Sequence, residues 1–161
     1  MSPSPDTSHQ RIVLNIAALF ARYLERHPVG EVLIAPLDVY LSDVNVLQPD
    51  VIFVSNQRRK IITDHGVEGA PDFVAEILSP SSARYDKGSK RKIYARAGVK
   101  ELWLVDPAAS LIHAYFLANH ADAPIATYGA NAIFKSSLFP RLRIHAATVF
   151  KSPAATQCRP K

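Results

Sequence analysis

Short, nearly unbroken apolar runs bounded by turn formers constrain this chain more than any other feature. Val51-Ile52-Phe53-Val54, Phe73 to Leu78, Glu101 to Val105 and Leu111 to Leu117 are each too short for a stable helix. Runs of this length, rich in β-branched and aromatic residues, read as buried strands. Two longer stretches carry a different period. Ile12, Ile16, Leu19, Phe20, Tyr23 and Leu24 recur at helical spacing, with Ser8 as a cap and His27-Pro28 and Gly30 as the stop. Residues 84–97 read as a second helix, ended by Gly98. Helix, strands, helix, strands is an α/β (α+β) order, in which a mixed sheet carries helices packed on it.

Finer features follow from turn chemistry. Val32 to Leu41 is strand-like, with Pro36 marking a bulge or an edge. Ser42-Asp43 and Asn45 form a turn. Residues 56–70 are polar, contain Gly66 and Gly69, and read as a loop with at most a short helix. Pro107 to Ser110 turns the chain so that Leu111 to Leu117 runs antiparallel to Glu101 to Val105. Ile133-Phe134 and Leu142 to Ile144 are expected to add edge pairing.

A chain of 161 residues suits a single domain, here 9–150, with a loose N-terminus at 1–8 and a disordered tail at 151–161. Hydrophobic residues at 48% against 20% charged exclude a disordered chain, and the net charge of +5 is compatible with a polyanionic partner. The lone cysteine, Cys158, forms no internal disulfide, so nothing points to an oxidising compartment. The polar MSPSPDTSHQ start has no apolar core of a secretory signal, and no apolar stretch is long enough to span a bilayer. The expected location is the cytoplasm, away from membranes.

Two acids stand where strand hydrophobes belong. Asp50 directly precedes Val51, and Glu76 lies inside Phe73 to Leu78. By strand alternation Glu76 shares a face with Val74 and Leu78. A carboxylate there is unfavourable unless it meets a wet cleft, a partner or a metal. A structural reading competes: a half-exposed strand with one acid on its wet side, or an ion pair to a neighbouring arginine. Asp86, Lys90 and Tyr94 fall at i, i+4 and i+8 along one face of the second helix, while Lys87, Arg91, Lys92 and Arg96 spread positive charge over the others. Here too a plain alternative exists, a basic solvated helix with an Asp86–Lys90 pair.

Taken together, two carboxylates on adjacent strands can hold Mg²⁺, with water and a phosphate oxygen completing its shell. Such an ion acidifies its bound water and neutralises charge building on the phosphate, and a nearby lysine stabilises the transition state. No nucleophile elbow, Cys/His zinc spacing or Gly-rich phosphate loop is present in the sequence. Other polar residues carry lesser expectations. Asp38 either faces the same cleft or serves a turn. His9 opens the first helix and is expected at the surface. Ser79 and Ser81 either bind a phosphate or, as expected, cap the next helix; Trp103 and Tyr115 are expected to pack in the sheet, and Asp106 to serve a turn.

The segments PDVIFVS (49–55), APDFVAEILSPSS (70–82) and RYDKGSKRKIYARAGVKELWLVDP (84–107) resemble the Uma-two (Uma2) family of restriction-endonuclease-like proteins, a branch of the PD-(D/E)xK nucleases. The resemblance runs from about Ser4 to Phe150. It implies a restriction-endonuclease-like mixed sheet flanked by helices in one domain, with Mg²⁺ or Mn²⁺ as cofactor and DNA as substrate. A homodimer is common among relatives of this fold. Carried over by position, Asp50, Glu76 and Lys90 are the implied catalytic residues. Asp50, Glu76 and Ile77 form the implied metal set, and Arg84, Lys87, Arg91, Arg96 and Tyr94 the substrate-binding set. Leu78 stands where the motif usually has lysine, and Lys90 on the following helix takes that role. Family members usually begin with a further helix, acidic residue and hairpin, so the resemblance implies a misplaced start, a truncated gene or a shortened variant of the domain, and it is activity more than fold that this bears on.

Two functions stay open at this level. One is a metal-dependent endonuclease hydrolysing DNA phosphodiesters. The other is a catalytically inactive nuclease-fold module that binds DNA or another partner without turnover.

Overall fold

The computed structural model describes residues 6–79, 86–118 and 122–153. Its first element is helix α1, Thr7–Arg26. The cap is Asp6, not Ser8: the Asp6 side chain accepts the His9 N–H at 2.8 Å, and Ser8 lies inside the helix. The expectation of a loose segment through residue 8 is corrected accordingly. The helix buries Ile12, Ile16, Phe20 and Tyr23 of the stripe that the spacing marks and Val13 beside them, while Leu19 and Leu24 are only partly buried.

A six-stranded sheet forms the centre. Its strands are β1 (Gly30–Ile34), β4 (Val51–Ser55), β7 (Phe73–Ile77), β8 (Glu101–Asp106), β9 (Leu111–Phe116) and β10 (Ala126–Gly129), in that spatial order. Every neighbouring pair is antiparallel except β7–β8. That parallel pair needs a crossover, and helix α2 (Asp86–Ala97) supplies it. Gly98 ends α2 at φ +95°, a conformation that side chains with a Cβ rarely adopt. Gly30 fits tightly against β4, since a Cβ there would lie 2.3 Å from the Val54 carbonyl oxygen.

The segment expected to be one strand from Val32 to Leu41 is two. It breaks after β1 at Ala35-Pro36 and resumes as β2 (Val39–Ser42) in another sheet. Strand β2 pairs with β3 (Asn45–Leu47) across the expected turn, and runs parallel to β6 (Gly66–Glu68). Strand β5 (Ile62–Thr63) completes this four-stranded sheet. The region expected as a loop therefore holds a 3-10 helix, Asn56–Ile61, and two short strands. Strands β11 (Ile133–Phe134) and β12 (Ile144–His145) pair with each other rather than with an edge of the main sheet. They lead into a short helix α3, Ala146–Phe150.

Alternation along the strands divides the core in two. Val51, Phe53, Phe73, Ala75, Ile77, Trp103 and Val105 meet α1, α3 and the 132–146 segment. Phe20 is central there, stacked on Phe139 at 4.2 Å and edge-on to Phe73 at 5.1 Å. Ile52, Val54, Val74, Leu78, Leu102 and Leu104 meet Tyr94 of α2 and Val39 and Val67 of the small sheet on the other side. Trp103 and Tyr115 are packing residues, as expected. No helix among the described residues is long and apolar enough to cross a membrane.

Candidate active site

The antiparallel register of β4 and β7 pairs Val51 with Ala75 and Ile52 with Val74. Continued by one residue, it sets Asp50 across from Glu76 at the end of the two strands. The side chains are near enough that the Asp50 charge helps hold the Glu76 carboxyl above its ordinary range. The Ile77 N–H donates to Asp50 Oδ2 at 2.7 Å. Ile77 thus joins the site through its backbone, while its side chain belongs to the core beneath α1.

Helix α2 closes over Glu76 from the opposite face. Lys90 Nζ lies 3.4 Å from Glu76 Oε2, and the Tyr94 hydroxyl donates to Oε1. The spacing of Lys90 and Tyr94, one helical turn apart, puts both on one carboxylate. The Glu76 carboxyl is pushed above its ordinary range chiefly by burial. Lys90 and Tyr94 pull in the other direction without cancelling it.

A residue expected at the surface completes the group. His9, in the first turn of α1, places Nε2 at 3.1 Å from Asp50 Oδ1. Its imidazole is held above its ordinary pKa, first by the hydrogen bond to Asp50, against the opposing effect of burial. The charges of Asp50, Asp6 and Glu76 add to the rise. The surface expectation for His9 is overturned because residues 9, 13, 16, 20 and 23 form one continuous stripe, and that stripe faces the sheet. Helical spacing could have found it.

The expected substrate residues divide. Tyr94 is fully buried against Glu76, so it cannot be a surface contact for DNA. Arg91 lies over the Tyr115 ring at 5.2 Å, and its buried Nε has no hydrogen-bond partner. Arg96 is exposed near the end of α2. Arg84 and the side chain of Lys87 lie outside the described residues, as do Ser81 and the side chain of Asp86. Asp38 is engaged elsewhere, accepting from Gln48 Nε2 at 2.7 Å. Asp106 caps its turn by accepting the Ala109 N–H at 3.1 Å.

Two buried carboxyls that sequence reasoning passed over are structural. Asp72 lies beside Lys100, Nζ to Oδ1 2.6 Å, and accepts the Ser55 N–H at 2.8 Å. Burial raises its pKa, but these partners outweigh burial and the net shift is downward. Glu101 accepts from Trp103 Nε1 at 2.8 Å and from Ser136 Oγ at 2.6 Å, and burial raises its carboxyl above the ordinary range.

The chemistry of the donor set suits a small hard cation. Asp50 and Glu76 contribute oxygens only, and an oxygen that accepts one hydrogen bond retains a second lone pair. A cation would also relieve the cost of two carboxylates sharing a buried corner. Among the described residues, no group of three or more His, Cys, Asp or Glu side chains is arranged to hold a metal ion, so Asp50 and Glu76 are two donors and not a complete set.

A family model described as "Putative restriction endonuclease", Uma2, matches residues 1–147. The chain belongs to the Uma2 family. The fold agrees with a crystal structure of a "putative nuclease belonging to DUF820" from Anabaena variabilis ATCC 29413. The TM-score is 0.75 at 18% identity, over 92% of this chain and 83% of that one. No curated protein matches the chain. Membership in Uma2 supports a nuclease in the general sense.

Proposed function

We propose that this Uma2 protein is a divalent-metal-dependent endonuclease that hydrolyses DNA phosphodiester bonds. The observation that carries the reading is the meeting of Asp50 and Glu76, from neighbouring strands, with Lys90 of α2 at one corner. Asp50 and Glu76 would hold Mg²⁺ or Mn²⁺. Bound there, the ion would supply an acidified water and charge neutralisation at the phosphate. Lys90, with its side chain 29% exposed, is placed to stabilise negative charge growing on the phosphate oxygens. Tyr94 and the Ile77 N–H hold the two carboxylates in place. In the overall reaction water adds to phosphorus and one P–O ester bond breaks. A phosphomonoester and a hydroxyl are left, the leaving oxygen taking up a proton. Exposed Arg96, together with Arg84, Lys87 and Arg91, would contact backbone phosphates.

The test is cleavage of supercoiled plasmid by the purified chain with Mg²⁺ or Mn²⁺. EDTA, Glu76→Gln and Asp50→Asn should each abolish it, and Lys90→Ala should slow it by about 100-fold or more, the scale of losing one electrostatic contact to the transition state. Cutting that survives Glu76→Gln refutes the site. A second reading, a nuclease-fold module that binds without turnover, has its own supporting observation. Each of the four carboxylate oxygens of Asp50 and Glu76 already accepts from a protein donor. Retained DNA binding with no cleavage under any metal would favour it.

A further inference from the structure

We infer that His9 is the positioning residue of the Asp50 carboxylate, and that the first turn of α1 thereby belongs to the metal-binding site. The inference rests on the proposed function and adds a residue to it. Asp50 lies just before β4, one residue beyond the last paired position of the ladder with β7. The Ile77 N–H fixes Oδ2 from within the sheet. A single donor still lets the carboxylate swing about that hydrogen bond. His9 Nε2 meets the other oxygen at 3.1 Å from a separate element, and two donors from two directions define the carboxylate plane.

The placement of the ring is a built feature. The His9 side chain is only 14% exposed, and its Nδ1 is buried with no hydrogen-bond partner. Contact with Asp50 is thus the polar interaction that its ring makes among the described residues. The His9 backbone is tied in turn, since its N–H is the one capped by Asp6. A connected chain runs from Asp6 through His9 and Asp50 to the Ile77 backbone, joining the start of α1 to the end of β7.

The role follows from the chemistry of the two groups. Mg²⁺ and Mn²⁺ prefer carboxylate oxygen, and an imidazole N–H that orients a carboxylate leaves a lone pair on that oxygen for the cation. An orienting partner of this kind changes metal affinity without touching the metal, commonly by 10–100-fold.

The experiment titrates the full chain with Mn²⁺ and follows free Mn²⁺ by electron paramagnetic resonance. Wild type is expected to bind and Asp50→Asn to lose binding. His9→Ala should weaken binding by about tenfold or more. His9→Gln, whose amide N–H can reach the carboxylate, should recover much of the loss. Wild-type affinity in His9→Ala would overturn the assignment while leaving the proposed function intact. A wild-type chain that binds no Mn²⁺, or binds it equally well as Asp50→Asn, would overturn both. A metal-free thermal-unfolding cycle of His9→Ala and Asp50→Asn tests the contact itself. Non-additive shifts are expected, and strictly additive ones would dismiss the pairing whatever the metal does.

Discussion

At the scale of single residues, the buried acids separate by what each is paired with. Glu101 has two neutral donors and no cation among its described partners, so its charged form is disfavoured by burial. In the unfolded chain the same carboxyl loses its proton at lower pH. As pH rises from the ordinary carboxylate range through the raised folded value, the unfolded state binds fewer protons, and stability falls. Glu101→Gln cannot titrate, and its amide can accept from Trp103 and donate to Ser136. Its melting temperature relative to wild type should therefore climb as pH is raised across that window. A constant difference would show that Glu101 does not titrate inside the fold. Glu101→Ala strands two buried donors and should cost about 1–3 kcal/mol in denaturant unfolding.

Asp72 behaves in the opposite way. Lys100 and the Ser55 N–H hold its pKa down against burial, so its contribution is complete above the ordinary carboxylate range and is lost as pH falls through the folded value. Lys100→Met leaves a fully buried carboxylate that has lost its cation and keeps the Ser55 N–H. It should cost about 2 kcal/mol and move acid unfolding to higher pH, readable by circular dichroism across a pH series. Tyr94→Phe removes the donor to Glu76 Oε1, at a similar cost of about 1–3 kcal/mol. An unchanged unfolding midpoint in that variant would mean that the Tyr94 hydroxyl does not support Glu76.

At the scale of elements, what the sequence discloses depends on how much core each segment buries. Strands β4, β7 and β8 are legible because each is an apolar run buried on both faces, and β9 because it is apolar and lies one turn beyond β8, though only half of it is buried. The small sheet is not, because β3, β5 and β6 are only two or three residues long and carry no period. Strand β10 and α3, at four and five residues, are likewise too short to carry a period. Asp50 and Glu76 stand out in the sequence because an acid among strand hydrophobes is anomalous. His9 reads as a surface residue because a histidine in a helix's first turn is ordinarily solvated, yet it continues the buried stripe one turn before Val13. The 132–146 segment has the sequence of edge pairing alone, yet its Phe139 is fully buried and stacks on Phe20. Phe139→Ala should therefore destabilise the chain by about 3–5 kcal/mol in urea unfolding, the cost of a core cavity. A loss below about 1 kcal/mol would show the segment to be a peripheral strap.

At the scale of the whole molecule, the two cores are separate but the candidate site draws on both. Asp50 and Glu76 come from the sheet, His9 from the helix above one face, Lys90 and Tyr94 from the helix on the other. Three layers meet at one corner, so the fold can hold two acids close together without exposing the sheet interior. The surface charge supplies what that corner lacks. A chain of net charge +5 releases counterions when it covers phosphates, so the logarithm of its DNA affinity should fall linearly with the logarithm of salt concentration. The measurement is fluorescence anisotropy with labelled duplex and cleavage-deficient Glu76→Gln, over a series of salt concentrations. Adding Arg96→Ala should reduce the slope by roughly 0.9, the signature of one lost phosphate contact, and weaken binding equally across unrelated sequences. A slope unchanged by Arg96→Ala would remove the exposed end of α2 from the DNA path. A flat salt dependence in the parent would argue that the positive charge serves no polyanion, and the DNA substrate would fall with it.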